Sequence, residues 1–318
     1  MKLIKYSSDL FDDWNNLVEN SKNGTFLINR DFMDYHSSRF LDCSLLFYHK
    51  NKLIACLPAN YNKNENIVYS HQGLTYGGLI MNKNICISQV LDIFSIAIDY
   101  YKHTYKANSL IYKPTPHIYH KYPSEEDLYA LYVNEAKLHT RSISSTIPLK
   151  SAIIPMTESR KSGLRKAKRA NLTIDESEDI NSFWNILNET LNKNHSVSPV
   201  HSSTELQLLK ERFPEKIKLF TVTDAECNIL AGTLIFDCDK TIHTQYIAAN
   251  DRGKSVGALD YLLNEIINNQ YKDCDYFDFG VSTENGGLYL NNGLIFQKEG
   301  FGGRGISYDS WIINLRNS

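Results

Sequence analysis

The sequence predicts a mixed α/β (α+β) protein in two similar halves, built of mostly antiparallel strands with covering helices. Three observations predict it. A hairpin pattern, a third strand, a glycine-rich loop, a helix and a closing strand follow one another in that order in both halves. The segment 258–269 carries Leu259, Leu262, Leu263, Ile266 and Ile267 on one helical face, so it should lie on a sheet. Finally, 42% hydrophobic and 22% charged residues over 318 positions give an ordinary globular balance with room for two domains. The expected division is 1–150 and 151–318.

Lys2–Tyr6 alternates and reads as a first strand. A helix should start from a Ser7 or Ser8 cap, with Leu10, Phe11, Trp14 and Leu17 along one face. A short helix is expected over Arg30–Arg39. Cys43–His49 and Leu53–Asn60 alternate on either side of Lys50-Asn51-Lys52, the pattern of an antiparallel hairpin. Ile67–Ser70 is the third strand, and Gly73, Gly77 and Gly78 mark a loop where backbone comes close to something. A helix over Ser88–Tyr105 and a strand over Ser109–Lys113 close this half. The connection from Tyr119 to Thr157 holds a short helix capped by Ser124 and the extended run RSISSTIPLK.

The second half begins with a basic helix, Ser159–Ala170, and a helix over Asn181–Asn192. A hairpin of Ile217–Thr223 and Ile229–Asp237 turns at Asp224–Asn228. Strand Thr241–Ala248, a basic turn at Asn250–Gly257, helix Ala258–Asn269 and strand Tyr276–Phe279 follow. Near the end, Ile295, Gln297 and Glu299 alternate with Phe296 and Lys298, which predicts one more strand.

A net charge of −2 argues against wholesale nucleic-acid coating. The six cysteines form no CxxC pair and have no histidine at zinc spacing. They read as free thiols of a reducing compartment, and no metal is expected. MKLIKYSSDLFDDW has no long apolar core, so no signal peptide is expected. No apolar run reaches membrane-spanning length. The expectation is a soluble, cytoplasmic protein.

The turn Asn250–Gly257 holds Arg252, Gly253, Lys254, Ser255, Val256 and Gly257 just before a helix. Backbone N–H groups, a helix dipole and two cations suit a phosphate or pyrophosphate there, although such glycines also serve as plain turn residues. The pattern strand, R-x-x-[S/G]-x-G-A, helix, strand resembles the coenzyme A pyrophosphate segment of the GNAT acyltransferases. Arg252, Ser255, Gly257 and Ala258 stand at its positions, with Ser255 where glycine is usual. FDFGVSTENGGLYLNNGLIFQKEGFGG resembles the end of the FemAB-like branch, in which two GNAT-type domains are fused. Lys298, Phe301 and Gly302 match that branch's Lys-x-x-Phe-Gly signature. SRKSGLRKAKRANLTI resembles the basic helix that opens its second domain.

The resemblance implies tandem GNAT-like domains, the first on the acceptor side and the second on the donor side. It implies acyl transfer to an amine, with acetyl-CoA or another acyl-CoA as co-substrate and no metal. The acceptor would be a small-molecule amine or a nucleotide-linked cell-envelope precursor. An aminoacyl-tRNA donor, as in Fem-type enzymes, and a catalytically inactive binding protein are the alternatives.

Candidate residues follow from both sources. Lys298, at the signature lysine, is the candidate catalytic cation, with Tyr246 and Asp278 placed to handle the amine or its proton. Arg252 through Gly257 would hold the donor phosphates. On the acceptor side stand Tyr76 beside the first-half glycines, Arg165 and Arg169, four apart on the basic helix, and Asn291. The basic helix would serve equally as a solvated face. The loop LNKNHSVSPVHSST, with His195, Pro199 and His201, has the composition of a lid. His243 reads as structural or substrate-lining.

Overall fold

The computed structural model describes residues 1–151, 153–195 and 199–316, with no side chain described from 192 to 198. The chain divides into two compact units. The first is Met1–Ser142 with Asn285–Tyr289 and Ser307–Ser318, and the second is Ile143–Glu284 with Leu290–Ile306.

In the first unit the chain runs β1 (Lys2–Lys5), α1 (Phe11–Asn20), α2 (Arg30–Met33), β2 (Leu41–Asp42), β3 (Leu45–His49), β4 (Lys52–Leu57), β5 (Asn60–Asn62), β6 (Ile67–Tyr69), β7 (Ile80–Met81), α3 (Ile87–Tyr100), β8 (Ser109–Tyr112) and α4 (Glu126–Val133). The expected hairpin is β3–β4, flanked by β1 and β7 in a four-stranded sheet. β6 and β8 pair in parallel, Ile67 opposite Ser109 and Tyr69 opposite Ile111, across the crossover helix α3. Phe94 and Ala97 bury that helix against Leu57, Leu79, Leu110 and Tyr112. The helix expected over Arg30–Arg39 is interrupted. α2 ends at Met33, and the turns that follow break at His36, whose φ is −121°.

β9 (Lys137–Pro148) leads into the second unit, where the order is α5 (Glu158–Arg169), β10 (Thr173–Ser177), α6 (Ile180–His195), α7 (Ser203–Arg212), β11 (Ile217–Thr223), β12 (Ile229–Cys238), β13 (Thr241–Ala249), α8 (Asp251–Val256), α9 (Ala258–Glu265), β14 (Tyr276–Val281), β15 (Thr283–Glu284), β16 (Tyr289–Leu290), α10 (Asn292–Gly300) and β17 (Arg304–Asn314). Tyr289, at the start of β16, and the part of β17 from Ser307 on belong to the first unit. The second unit's sheet runs β10-β11-β12-β13-β14-β9. β13 and β14 pair in parallel, and α9 is their crossover. Its Leu262 and Leu263, with Ile266 and Ile267 of the helical turn that follows, meet Ile235, Ile242, Phe277 and Phe279 in one apolar core. Each such side chain contributes about 1.5–3 kcal/mol on burial.

Two expected elements change identity. The stretch around Lys298 is the helix α10, not a strand. Asn291 caps it by accepting the Leu294 N–H at 3.1 Å, while Leu294 and Phe296 stay exposed. The helix therefore shows no amphipathic pattern, and chance alternation imitates a strand. The basic turn is the short helix α8, capped by Asn250, whose side chain accepts the Gly253 N–H at 2.8 Å.

Candidate active site

The second unit brings together Ser144, Thr146, His243, Asp278, Gly280 and Lys298. The sheet register decides this. β13 and β14 pair through Thr241↔Tyr276, Ile242↔Phe277 and His243↔Asp278, while β13 continues to Ala249 and β14 to Val281. The two strands part just beyond His243 and Asp278. On the other side of β14, Asp278 lies opposite Thr146 and Val281 opposite Ser144. Paired residues share a face, so Thr146, Asp278 and His243 point together, away from the α9 core.

A bulge shapes the rest of that face. Ile235 pairs with Thr244 but Leu234 pairs with Tyr246, so Gln245 is the extra residue of β13. Without it His243 would share a face with Gln245. With it, Tyr246 joins His243.

Asp278 is fully buried. Its Oδ1 accepts from the hydroxyls of Ser144 (2.5 Å) and Thr146 (2.7 Å), and its Oδ2 meets His243 Nδ1 at 2.8 Å. Burial works to raise its pKa, but the His243 ring and the two hydroxyls outweigh burial and hold the carboxyl at about 2. Asp278 is expected to help position the amine or its proton. Fully enclosed, it is bonded to His243, whose side chain is 13% exposed.

Lys298 is 8% exposed, and its Nζ donates to the carbonyls of Gly280 and Val281, each at 2.8 Å. Burial pushes its pKa down to about 8, while the Asp278 carboxylate pulls the other way. A buried ammonium thus stands beside the parting strands, tied to β14 by two of its three N–H donors.

The residues expected to cradle phosphates are engaged within the protein. Arg252 meets Asp224 Oδ2 at 2.9 Å and Glu226 at 3.9 Å. Lys254 N–H donates to Asn250 O, Gly257 N–H to Lys254 O, and the Ser255 hydroxyl to Arg252 O. Val256 ends α8. Gly257 has φ +76°, and a Cβ there would stand 2.3 Å from Gly163 O of α5. That close approach of α5 and α9 accounts for the glycine.

The remaining candidates are dispersed. Tyr246 is half-buried against Trp184, ring centroids 5.1 Å apart, and its hydroxyl lies 2.8 Å from His201 Nδ1. Residues 196–198 of the expected lid and the side chain of His195 lie outside the described residues. Arg165 and Arg169 are exposed on α5, Arg165 pairing with Glu158 at 2.6 Å. Arg160 of the same helix turns inward to Asp260 at 2.9 Å. Asn291 serves as the α10 cap and donates to Glu284 at 2.8 Å. Tyr76, in the first unit, is 2% exposed and bonded to Thr25 at 3.1 Å, so it belongs to the interior and not to an open wall. Among the described residues, no group of three or more His, Cys, Asp and Glu side chains is placed to hold a metal. No described helix is long and apolar enough to cross a membrane.

Sequence reading passed over the pairing of His243 with Asp278. The only signal was a histidine and an aspartate at like positions of two strands joined by a crossover helix, and it needs the register to be read.

Solved structures share this fold at low identity. FemX matches with a TM-score of 0.71 at 10% identity, over 99% of this chain and 97% of that one. L-PGS from Bacillus licheniformis matches at 0.61 and 13% identity, over 99% of this chain and 94% of that one. A tandem GNAT protein from the clavulanic acid biosynthesis pathway matches at 0.50 and 8% identity, over 100% and 99%. The chain has a FemAB-like, GNAT-type fold. No protein-family model and no curated protein sequence matches it.

Proposed function

We propose that this protein is an N-acyltransferase that moves an acyl group, acetyl in the first instance, from acyl-CoA to an amine of a small molecule or a cell-envelope precursor. The observation that carries this reading is Lys298, a nearly buried ammonium held by the carbonyls of Gly280 and Val281 where β13 and β14 part. Parting strands offer backbone groups to an extended donor. The third Lys298 N–H is then available to the carbonyl oxygen that gathers charge as the amine attacks. A cation acts more strongly on such charge in a buried setting than in water. Likeness of fold to a tandem GNAT protein supports the reaction class. We assign the donor to the second unit and acceptor recognition to the first.

A second reading, transfer from aminoacyl-tRNA, is favoured by one observation. Asp224 and Glu226 already hold Arg252, and they set negative charge where a CoA pyrophosphate would lie. The fold likeness to FemX is compatible with it. Thermal shifts and calorimetry with acetyl-CoA, longer acyl-CoAs and UDP-sugars separate the readings, because a ligand that binds the native state raises its stability by mass action. A Tm rise of several degrees with acetyl-CoA, followed by acetylation of an offered amine, is expected. Indifference to every CoA thioester overturns the CoA reading.

A further inference from the structure

The first unit buries a carboxyl that no cation balances. Asp127, in the first turn of α4, is 3% exposed. Tyr112 of β8 donates its hydroxyl to Oδ2 at 2.7 Å, and the Leu128 N–H donates to Oδ1 at 2.9 Å. Among the described residues no cation pairs with Asp127, because Glu126 beside it takes the ammonium of Lys22. α3, which packs on α4, buries Phe94 and Ala97, while its Asp92 and Asp99 are exposed. The titratable groups facing the carboxyl are therefore Tyr112 and Glu126. Burial pushes the Asp127 pKa up to about 7 against the pull of the Tyr112 and Leu128 donors, and the charge of Glu126 adds to the rise. The Tyr112 oxygen in turn accepts the Leu79 N–H at 2.6 Å. The loop backbone lies hard against this phenol, since a Cβ at Gly78 would stand 2.8 Å from the hydroxyl oxygen. Two further bonds hold the same segment, Asn23 Nδ2 to Leu79 O at 2.8 Å and Gly77 N–H to Lys113 O at 3.0 Å. The phenol also lines an apolar cavity with Leu57, Leu79, Ile93, Phe94 and Leu110, which gives a water no polar partner.

We propose that Asp127 is a protonation-controlled latch on the glycine loop of the first unit, acting on Leu79 through the Tyr112 hydroxyl. This goes beyond the acyl-transfer reading and does not rest on it. When the carboxyl is ionised it accepts the phenolic hydrogen, and the polarised Tyr112 oxygen holds the Leu79 N–H more strongly. When the carboxyl takes a proton from solvent it becomes a weaker acceptor. Its own O–H then turns onto the Tyr112 oxygen and competes with Leu79 for it. The latch tightens as pH rises through neutrality and slackens as pH falls. The ionised form satisfies every hydrogen-bonding group of the relay, whereas burial without a cation favours the neutral form. That opposition leaves the two states balanced enough for a proton to choose between them.

A pH titration of the full chain, followed in sequentially assigned NMR spectra, tests the latch without any substrate. The Asp127 carboxyl ¹³C shift should titrate with a midpoint near pH 7. The Leu79 amide proton should move downfield as pH rises, with the same midpoint. A carboxyl that titrates near the ordinary 3.8, or a Leu79 amide indifferent to it, overturns the proposal, and neither reading needs a variant to fold. Asp127→Asn keeps the shape and removes the titrating proton, so the Leu79 inflection should vanish. Tyr112→Phe should leave the carboxyl titrating and uncouple Leu79 from it. A Leu79 inflection that survives in either variant also overturns the proposal, because the signal would then come from another group or by another route.

Discussion

His243 of β13 and Asp278 of β14 are directly opposite one another in a parallel ladder, and their side chains meet at 2.8 Å across it. Thirty-five residues of chain separate them. One crossover helix closes that distance.

The Asp278 carboxyl, held at about 2 against an ordinary 3.8, is a pH-dependent stabiliser. The folded pKa is the lower one, so the contribution is complete above pH 3.8 and is lost as pH falls toward 2. The gap in unfolding free energy between wild type and Asp278→Asn should be widest above pH ~4 and narrow toward pH ~2. Denaturant titrations at a series of pH values measure it, and a gap independent of pH contradicts it.

Lys298→Met keeps the side chain's length and removes its charge. If Lys298 meets the developing oxyanion, kcat should fall roughly 10²–10³-fold with donor affinity little changed. Steady-state acyl transfer alongside calorimetric donor binding reads both quantities. A variant that turns over at the wild-type rate excludes Lys298 from the chemistry.

Arg252 separates the two donor readings. If CoA phosphates bind at α8, Arg252→Ala should weaken acetyl-CoA binding by about 1–3 kcal/mol. Asp224→Asn removes a competing anion and should strengthen it. Should titration calorimetry find neither change, the Arg252–Asp224 pair is structural and the donor phosphates lie elsewhere.

Gly257→Ala places a methyl group 2.3 Å from the Gly163 carbonyl oxygen on a backbone with φ +76°. Two backbones must move apart, at a cost of roughly 2–4 kcal/mol. A lower urea midpoint at unchanged slope is the expected result. Unaltered stability would mean that α5 and α9 do not depend on this contact.

Much of the fold was legible because local pattern and tertiary packing agree. Leu262, Leu263, Ile266 and Ile267 recur at helical spacing and are buried on the sheet as that spacing requires. The hairpins β3–β4 and β11–β12 and the crossovers α3 and α9 lie where alternation and length placed them. α10 misled because its helix rests on the Asn291 cap and on Lys298 reaching two carbonyls, while Leu294 and Phe296 remain in water.

The sequence by itself determined the two hairpins and the crossover helices α3 and α9, since each is written in neighbouring residues. Tertiary structure alone decided the site. Which residue of β14 faces His243 depends on register, and a shift of one would turn Asp278 into the α9 core. Whether Tyr246 or Gln245 shares the face of His243 depends on one bulge, which leaves no mark in local composition. Whether Arg252 meets a donor's phosphates or Asp224 depends on a hairpin more than twenty residues upstream. Side-chain spacing along one strand is local physics, but the pairing of strands is a long-range choice, and the pairing brings His243 and Asp278 together.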